Sequence, residues 1–165
     1  MTREEQPRLQ PTIFPQNGNT AIGDNIDPID DNKTFRIYYQ NVNGISASKG
    51  TSKWNEINET MTRHKVALFG LTETNIEWNK YKNQLIMKSV LRRHFKQATM
   101  QTSTTTMKFA DDYKPGGTCT VTANIWTGRI LTTIADNTGQ GRWSGTIIRA
   151  HWYNIAIITA YRVTQ

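Results

Sequence analysis

The sequence predicts an α/β layered domain whose sheet is mixed, parallel near its start and antiparallel later. Strand-like runs at 35–40 and 66–71 are each followed by a helix-like stretch, which is the order of a parallel βαβ unit. From residue 98 onward the apolar period changes to two in several short segments separated by Gly- and Pro-rich turns, which is typical of an antiparallel meander.

Length and composition limit the class of protein. The chain has 165 residues, of which 36% are hydrophobic and 10% aromatic, enough for one domain with a core. No apolar run approaches the roughly 18 residues of a membrane span, and the first residues lack the apolar segment of a signal peptide. The single cysteine, Cys119, excludes an internal disulfide. We therefore expect no membrane association and a nuclear or cytoplasmic protein.

The charge is unevenly distributed. The chain carries +7, yet residues 1–34 hold three basic and six acidic residues, which gives −3 there and +10 over residues 35–165. The first segment is rich in Pro, Asn, Asp and Gly without any period, and we predict a disordered acidic leader. A body of strongly positive charge favours a polyanionic partner, most often nucleic acid, although a solvated basic surface without a ligand stays an alternative.

The first half of the body alternates strands and helices. Phe35 begins a period-two run that stops in the polar tip Asn41–Gly44. Trp54, Ile57, Met61 and His64 then recur at steps of three and four residues, which predicts an amphipathic helix capped by Ser52. The apolar run at 66–71 predicts a strand buried on both faces.

The second half contains one more helix and five strands. Residues 78–95 predict a helix with an apolar face, and later strands are expected at 98–104, 117–124, 128–134, 143–150 and 153–161. Trp54, Trp143 and Trp152 are expected to pack in the core or against the sheet. The apolar face of the helix is formed by Tyr81, Leu85, Ile86, Val90 and Leu91.

Three polar residues fall at the carboxyl ends of predicted strands: Asn41, Glu73 and Tyr161. A carboxylate at such a place can bind Mg²⁺, an amide beside it can fix the carboxylate, and a tyrosine hydroxyl can donate to a phosphate oxygen. Taken singly, the asparagine could equally form a turn, the glutamate cap a helix and the tyrosine pack at an edge. Their shared position is what predicts a site.

Five short motifs occur in order along the chain: Tyr-Gln-Asn-Val-Asn-Gly at 39–44, Gly-Leu-Thr-Glu-Thr at 70–74, Pro-Gly-Gly-Thr at 115–118, Gly-Arg-Trp at 141–143 and Ile-Ile-Thr-Ala-Tyr at 157–161. Together, in this order, they resemble the endonuclease/exonuclease/phosphatase superfamily over about residues 35–161. Asn43 in the first motif stands where repair endonucleases often have Asp, so this motif is more similar to the endonuclease domains of LINE-type retroelements.

The resemblance implies a two-sheet α/β sandwich that cleaves phosphodiester bonds, DNA being the expected substrate, with Mg²⁺ or alternatively Mn²⁺. It implies Glu73 as the metal carboxylate, Asn41 as its amide partner at the metal, and Tyr161 as a phosphate contact, all three catalytic. Arg142 is expected to give only strand pairing or backbone support. Thr72 stands where the family usually has Gln, which leaves the hydrogen bonds around Glu73 open.

The resemblance also implies that the chain is an amino-terminal half. The family continues into a Gly-Asp-x-Asn loop and a closing Ser-Asp-His, and none of His64, His94 and His151 follows Ser-Asp. We therefore expect the carboxy-terminal half and the second sheet to be absent, one face of strand 66–71 to be uncovered unless another chain covers it, and the chain alone to be inactive.

Three other readings stay open. An inositol-polyphosphate or sphingomyelin phosphodiesterase is disfavoured, because the basic body suits a long polyanion better. A binding module without catalysis would hold nucleic acid through phosphate contacts and stacking on residues such as Trp78 or Trp126. The last alternative is an inert remnant. Whether a reverse transcriptase once followed is not decided by the sequence.

Overall fold

A computed structural model describes residues 34–47, 50–107 and 114–162; the predicted acidic leader, apart from its last residue, lies outside the described residues. Within that part the chain forms seven strands, two α-helices and one short 3₁₀ helix. In chain order they are β1 (Ile37–Asn41), α1 (Ser52–Arg63), β2 (Leu68–Thr72), α2 (Tyr81–His94), β3 (Ala98–Ser103), β4 (Thr118–Ala123), the 3₁₀ helix (Asn124–Arg129), β5 (Ile130–Ala135), β6 (Trp143–Arg149) and β7 (Asn154–Ala160).

The first sheet is mixed, as the sequence predicts. Its strand order is β1-β2-β4-β3, in which β1 and β2 are parallel and the other pairs antiparallel. Every residue of β2 is buried, because neighbouring strands flank it and other layers cover both of its faces. The register pairs Asn41 with Thr72, so β1 and β2 end side by side.

Both helices supply the core on one face of this sheet. Trp54, Phe69 and Met87 are completely buried there, and Trp54 donates from Nε1 to the Met87 carbonyl at 3.1 Å. The predicted apolar face of α2 is wrong in its first turns, since Tyr81 is 73% and Leu85 47% exposed. In its later turns the prediction is confirmed for Val90 and Leu91, which are buried together with Met87, a residue outside the predicted face.

The predicted cap of α1 is also wrong. Ser52 is the first helical residue, and the capping position is held by Thr51, whose side chain makes no capping hydrogen bond. The tryptophan predictions are confirmed for Trp54, which is buried, whereas Trp152 is wrong because it is 86% exposed. Trp143 is half-buried at the start of β6.

A second sheet is present, which corrects the expectation that it would be missing. It is antiparallel, with strand order β5-β6-β7, and it packs on the first sheet on the side away from the helices. A Cβ added to Gly70 of β2 would lie 2.1 Å from Oγ1 of Thr159 in β7, so the two layers meet closely at a glycine. The face of β2 that was expected to be uncovered is therefore covered by β7.

Buried hydroxyl groups join the two sheets. Oγ1 of Thr120 in β4 lies 2.8 Å from Oγ1 of Thr159. The same atom lies 3.0 Å from Oγ of Ser144 and 3.0 Å from the Ser144 carbonyl oxygen. All three side chains are buried, so these hydrogen bonds replace water that the sandwich excludes. The interface between the two sheets is thus polar at its centre, and it depends on the alignment of Thr120 with Ser144 and Thr159.

In the described residues, the sandwich is open on the side between β1 and β7, one edge strand of each sheet. Ile37 and Tyr39 of β1 are 56% and 55% exposed, and Ile158 of β7 is 52% exposed. The two β1 side chains thus lie along this side with two unpaired strand edges. Ile158 lies on the outer face of the second sheet, because its neighbour Thr159 faces the first sheet. Of the helices described, none is long and apolar enough to cross a membrane.

Candidate active site

The three predicted site residues all lie at one end of the sandwich. Asn41 is the last residue of β1, Glu73 follows β2 directly, and Tyr161 follows β7 directly. Because β1 and β2 are parallel and end in register, Asn41 and Glu73 belong to adjacent loops. The placement at strand ends therefore agrees with the sequence prediction.

Backbone hydrogen bonds continue the β1–β2 ladder beyond the strands. Glu73 itself has a positive φ of 52°, and Asn43 has one of 43°, so both residues adopt a left-handed conformation that turns the chain. Both loops are thus fixed relative to each other before any side chain is considered. The bonds are Val42 N–H to the Thr72 carbonyl at 3.0 Å, Gly44 N–H to the Glu73 carbonyl at 2.6 Å and Ile45 N–H to the Thr74 carbonyl at 2.9 Å.

A glycine turn before β4 joins this pair of loops. The N–H groups of Thr74 and Asn75 donate to the carbonyls of Gly117 and Gly116 at 3.2 and 2.8 Å. Asn75 also accepts the Gly116 N–H on Oδ1 at 2.9 Å, so its side chain closes the turn. The sequence analysis missed Asn75, whose only signal is its position two residues after Glu73.

Tyr161 reaches the site through the same turn. Its hydroxyl accepts the Gly117 N–H at 3.2 Å, and a Cβ on Gly116, whose φ is +81°, would lie 1.7 Å from that oxygen. Only glycine therefore leaves room for the hydroxyl. Burial raises the pKa of Tyr161, the Gly117 N–H opposes this, and the charge of Glu73 adds to the rise, so the hydroxyl keeps its proton at neutral pH.

Glu73 differs from the other acidic residues at this end. Its half-buried carboxylate has no hydrogen bond or ion pair with any residue that the structure describes. Glu77 instead pairs with Lys80 at 2.7 Å, which lowers the pKa of Glu77. Asp136 accepts hydrogen bonds within its own turn. Partial burial raises the pKa of Asp136, but the N–H donors, first that of Arg142 at 2.9 Å, outweigh burial, so the pKa is lowered.

Asn41 is held by its own loop and by a lysine. Its Oδ1 accepts the N–H of Asn43 at 3.1 Å, which leaves the second lone pair of this oxygen free. Lys53, in the first turn of α1, donates from Nζ to the carbonyls of Val42 and Gly44, the latter at 2.9 Å. The sequence analysis missed Lys53, because an exposed lysine in a helix carries no distinctive pattern.

The donor set fits a hard divalent cation. Mg²⁺ takes oxygen ligands and commonly binds only one or two protein carboxylates, completing its shell with water and phosphate oxygens. The unpartnered carboxylate of Glu73, with an amide oxygen of the adjacent loop that has a free lone pair, is the kind of donor set that such an ion takes. No group of three His, Cys, Asp or Glu side chains that could hold a metal occurs among the described residues, so protein carboxylates alone would not fill the shell of an ion at Glu73.

The remaining predicted residues have clear positions. The prediction that Arg142 gives backbone support is confirmed. Its N–H donates to a carboxylate oxygen of Asp136, and its carbonyl accepts the Tyr161 N–H at 3.1 Å. Thr72 is buried, and its hydroxyl lies 2.9 Å from that of Tyr39. Trp78 cannot act as a stacking platform, because it is 1% exposed and its Nε1 donates to Thr74 at 2.9 Å.

Comparison with known proteins identifies the class of fold. No family model and no curated protein sequence matches the chain. Among solved structures, an endonuclease/exonuclease/phosphatase family protein from Leptotrichia buccalis C-1013-b matches 78% of this chain and 53% of its own, with 11% identity and a TM-score of 0.57. The endonuclease domain of TRAS1, a telomere-specific non-LTR retrotransposon, matches 79% of this chain and 45% of its own, with 11% identity and a TM-score of 0.39.

The chain thus has the fold of the endonuclease/exonuclease/phosphatase proteins: two packed sheets, one mixed, with helices on the mixed sheet. It spans about half the length of the solved structures that it matches. This confirms the predicted fold class and the structural resemblance. At such low identity the likeness concerns the fold alone, and the activity is a matter for the residues at the site.

Proposed function

We propose that this chain carries part of a Mg²⁺-dependent endonuclease of the retroelement type, which cleaves phosphodiester bonds in DNA. The observation that supports the proposal best is the half-buried, unpartnered carboxylate of Glu73, held where β1, β2 and β7 end. Partial burial of a carboxylate without a hydrogen-bond donor costs solvation free energy. A bound cation or substrate would offset that cost.

Each residue has a defined role in this proposal. Glu73 and the amide oxygen of Asn41 would hold Mg²⁺, with Mn²⁺ as the alternative ion, and the ion would polarise the scissile phosphate. Tyr161 keeps its hydroxyl proton at neutral pH and would donate it in a hydrogen bond to a non-bridging phosphate oxygen, while Gly117 holds the oxygen in place. Lys53 would hold the Asn41 loop in its bonded shape.

We further propose that the chain alone lacks parts of the reaction machinery. The proposed donor set of Glu73, Asn41 and Tyr161 has one carboxylate and no histidine or second carboxylate to orient water, and no group of three His, Cys, Asp or Glu side chains that could hold a metal occurs among the described residues. The open side between β1 and β7 exposes Ile37 and Tyr39, Ile158 is exposed on the outer face of the second sheet, and a further segment or a second chain would cover these surfaces. The isolated chain is therefore expected to be inactive, though it can bind the ion.

The test of the ion site is Mn²⁺ binding followed by electron paramagnetic resonance. The chain should bind Mn²⁺, and Mg²⁺ should compete. Glu73→Gln, which keeps the shape and removes the charge, should lower affinity at least tenfold. Glu56→Gln is the matched control, since Glu56 is an exposed glutamate in α1. Equal affinities for all three proteins would overturn the proposal.

The test of incompleteness is plasmid nicking in Mg²⁺. The purified chain should leave supercoiled plasmid intact, because the site lacks a group to orient the attacking water. A monomeric, cooperatively folded chain that nicks plasmid, and loses this activity on Glu73→Gln, would show that the site is complete. Nucleic acid and a covering chain remain the partners that this proposal requires.

A further inference from the structure

The sandwich has a second end, opposite the candidate site, where the chain enters β1, β2, β3, β5 and β7. The 3₁₀ helix and the turn between β6 and β7 both lie there, because β4 and β6 run away from the site. Between them is a depression of about 370 Å³, lined by Gly128 to Leu131 and by Arg149 to His151. We call this depression the distal groove.

The distal groove carries positive charge that forms no ion pair with the described residues. Arg129 and Arg149 are both exposed, and neither forms an ion pair within the described part of the chain. Between residues 114 and 162 the sequence has only one acidic residue, Asp136, which follows β5 at the opposite end of the sandwich. Two guanidinium groups, always charged and suited to phosphate, therefore line one concave surface.

The α2–β3 junction adds to this end of the molecule. The 3₁₀ helix is bonded to Gln97, whose carbonyl accepts the Asn124 N–H at 2.8 Å and whose Oε1 accepts the Thr127 hydroxyl at 2.9 Å. Lys96 is thus next to the 3₁₀ helix, and it is exposed. Exposed basic residues therefore lie both in the distal groove and at the end of α2.

Aromatic side chains flank the arginines in two different ways. Trp126 packs edge-on against Phe35 at 4.5 Å, and the guanidinium of Arg129 lies over the Trp126 ring at 5.2 Å, so Trp126 orients Arg129 and is not free to stack. Trp152 is 86% exposed, with only the His151 ring against it at 4.3 Å, and Tyr153 beside it is 65% exposed. A tryptophan this exposed offers a free ring face to a ligand.

We propose that the distal groove binds single-stranded nucleic acid, with Arg129 and Arg149 contacting phosphates and Trp152 stacking on an unpaired base. The free face of Trp152 favours a single strand, because bases in a duplex are already stacked on each other. This binding needs neither Glu73 nor a metal ion. The protein would therefore hold a second segment of nucleic acid at the end remote from its candidate active site.

The test is fluorescence anisotropy with labelled dT20 and U20, at two salt concentrations and in EDTA. Trp152→Ala should weaken binding about 5- to 150-fold, as loss of one stacked base does, and leave the salt dependence unchanged. Arg149→Gln should weaken binding and lower the slope of log K against log salt by about 0.7, the value for one phosphate contact on a single strand. Both residues are exposed, so the fold tolerates either change.

Two controls distinguish binding in the distal groove from a general effect of surface charge and from binding at the candidate active site. Lys82→Gln removes one exposed charge in the first turn of α2, at the other end of the molecule, and should change affinity less than twofold. Glu73→Gln should leave binding intact even where it abolishes Mn²⁺ binding. Equal losses in Lys82→Gln and Arg149→Gln, no loss in Trp152→Ala, or duplex DNA bound as tightly as dT20 would each overturn the proposal.

Discussion

The contact between the two sheets at Gly70 predicts a large cost for one added methyl group. In Gly70→Ala the new Cβ would lie 2.1 Å from Oγ1, 2.9 Å from Cγ2 and 3.0 Å from Cβ of Thr159. Ordinary contact needs about 3.5–4.0 Å between carbon atoms, and rotating Thr159 exchanges one branch for another. The sheets must separate, which costs about 1–3 kcal/mol of unfolding free energy, and we expect the upper end of that range.

A double-mutant cycle isolates this contact. Thr159→Ala alone should cost about 1 kcal/mol, because Thr120 loses one partner but keeps Ser144. In the double variant the Oγ1 and Cγ2 clashes are gone, so it should be at least about 1 kcal/mol more stable than additivity predicts. Urea unfolding of the four proteins measures this coupling. Gly128→Ala is the control, since a Cβ there meets nothing within 4 Å.

Additive effects, within about 0.5 kcal/mol, would refute this reasoning. They would mean that β7 does not cover β2, and the face of β2 would then be open, as the sequence alone predicts. A Gly128→Ala variant as unstable as Gly70→Ala would point to a general effect of added methyl groups.

Three further predictions concern single groups. Lys53→Met should speed amide exchange of Gly44 and Ile45 about tenfold, because two carbonyls of their loop lose a charged donor worth about 1.5–3 kcal/mol; unchanged exchange contradicts this. Burial raises the pKa of the Cys119 thiol, so a thiol reagent at pH 8 should react only with the unfolded protein. The raised pKa of Tyr161 does not affect the unfolding free energy below about pH 10, the ordinary pKa of a tyrosine, and lowers the unfolding free energy as the pH rises further. Between about pH 9 and 11 the wild type should therefore lose more stability than Tyr161→Phe. Equal losses would contradict this prediction.

The strand ends could be predicted from sequence because their signals are local. A period-two run identified the end of β1 and a continuous apolar run the end of β2, each to within one residue, and these ends carry Asn41 and Glu73. The carboxyl end of β7, which precedes Tyr161, was likewise found. Parallel pairing of β1 and β2 then followed from the helix between them.

The division of the later strands between two sheets could not be predicted in the same way. Five strands after residue 98 were expected, but their local pattern does not show that β3 and β4 join the first sheet while β5 to β7 form another. That choice depends on long-range contacts such as Gly70 with Thr159 and Thr120 with Ser144. The missing second sheet was inferred from the missing family motifs, and this inference was wrong.

The site contains residues that no pattern distinguishes. Asn75 looks like any other turn asparagine until the structure bonds it to Gly116, 41 residues away. Tyr81 and Leu85 fit the same helical stripe as Val90 and Leu91, yet only the later pair is buried. Apolar spacing predicts that a face is buried, but neighbouring elements decide which residues on it are covered.

The most direct measurement is a ¹H–¹⁵N spectrum of the chain titrated with substoichiometric Mn²⁺, which broadens amides near the bound ion. The account predicts that broadening is strongest in three loops, at 41–44, 73–75 and 116–117, and that Glu73→Gln removes it. Broadening centred on the exposed glutamates of α1 or on Asp136, or unchanged broadening in Glu73→Gln, would contradict the claim that these strand ends form one metal-binding site.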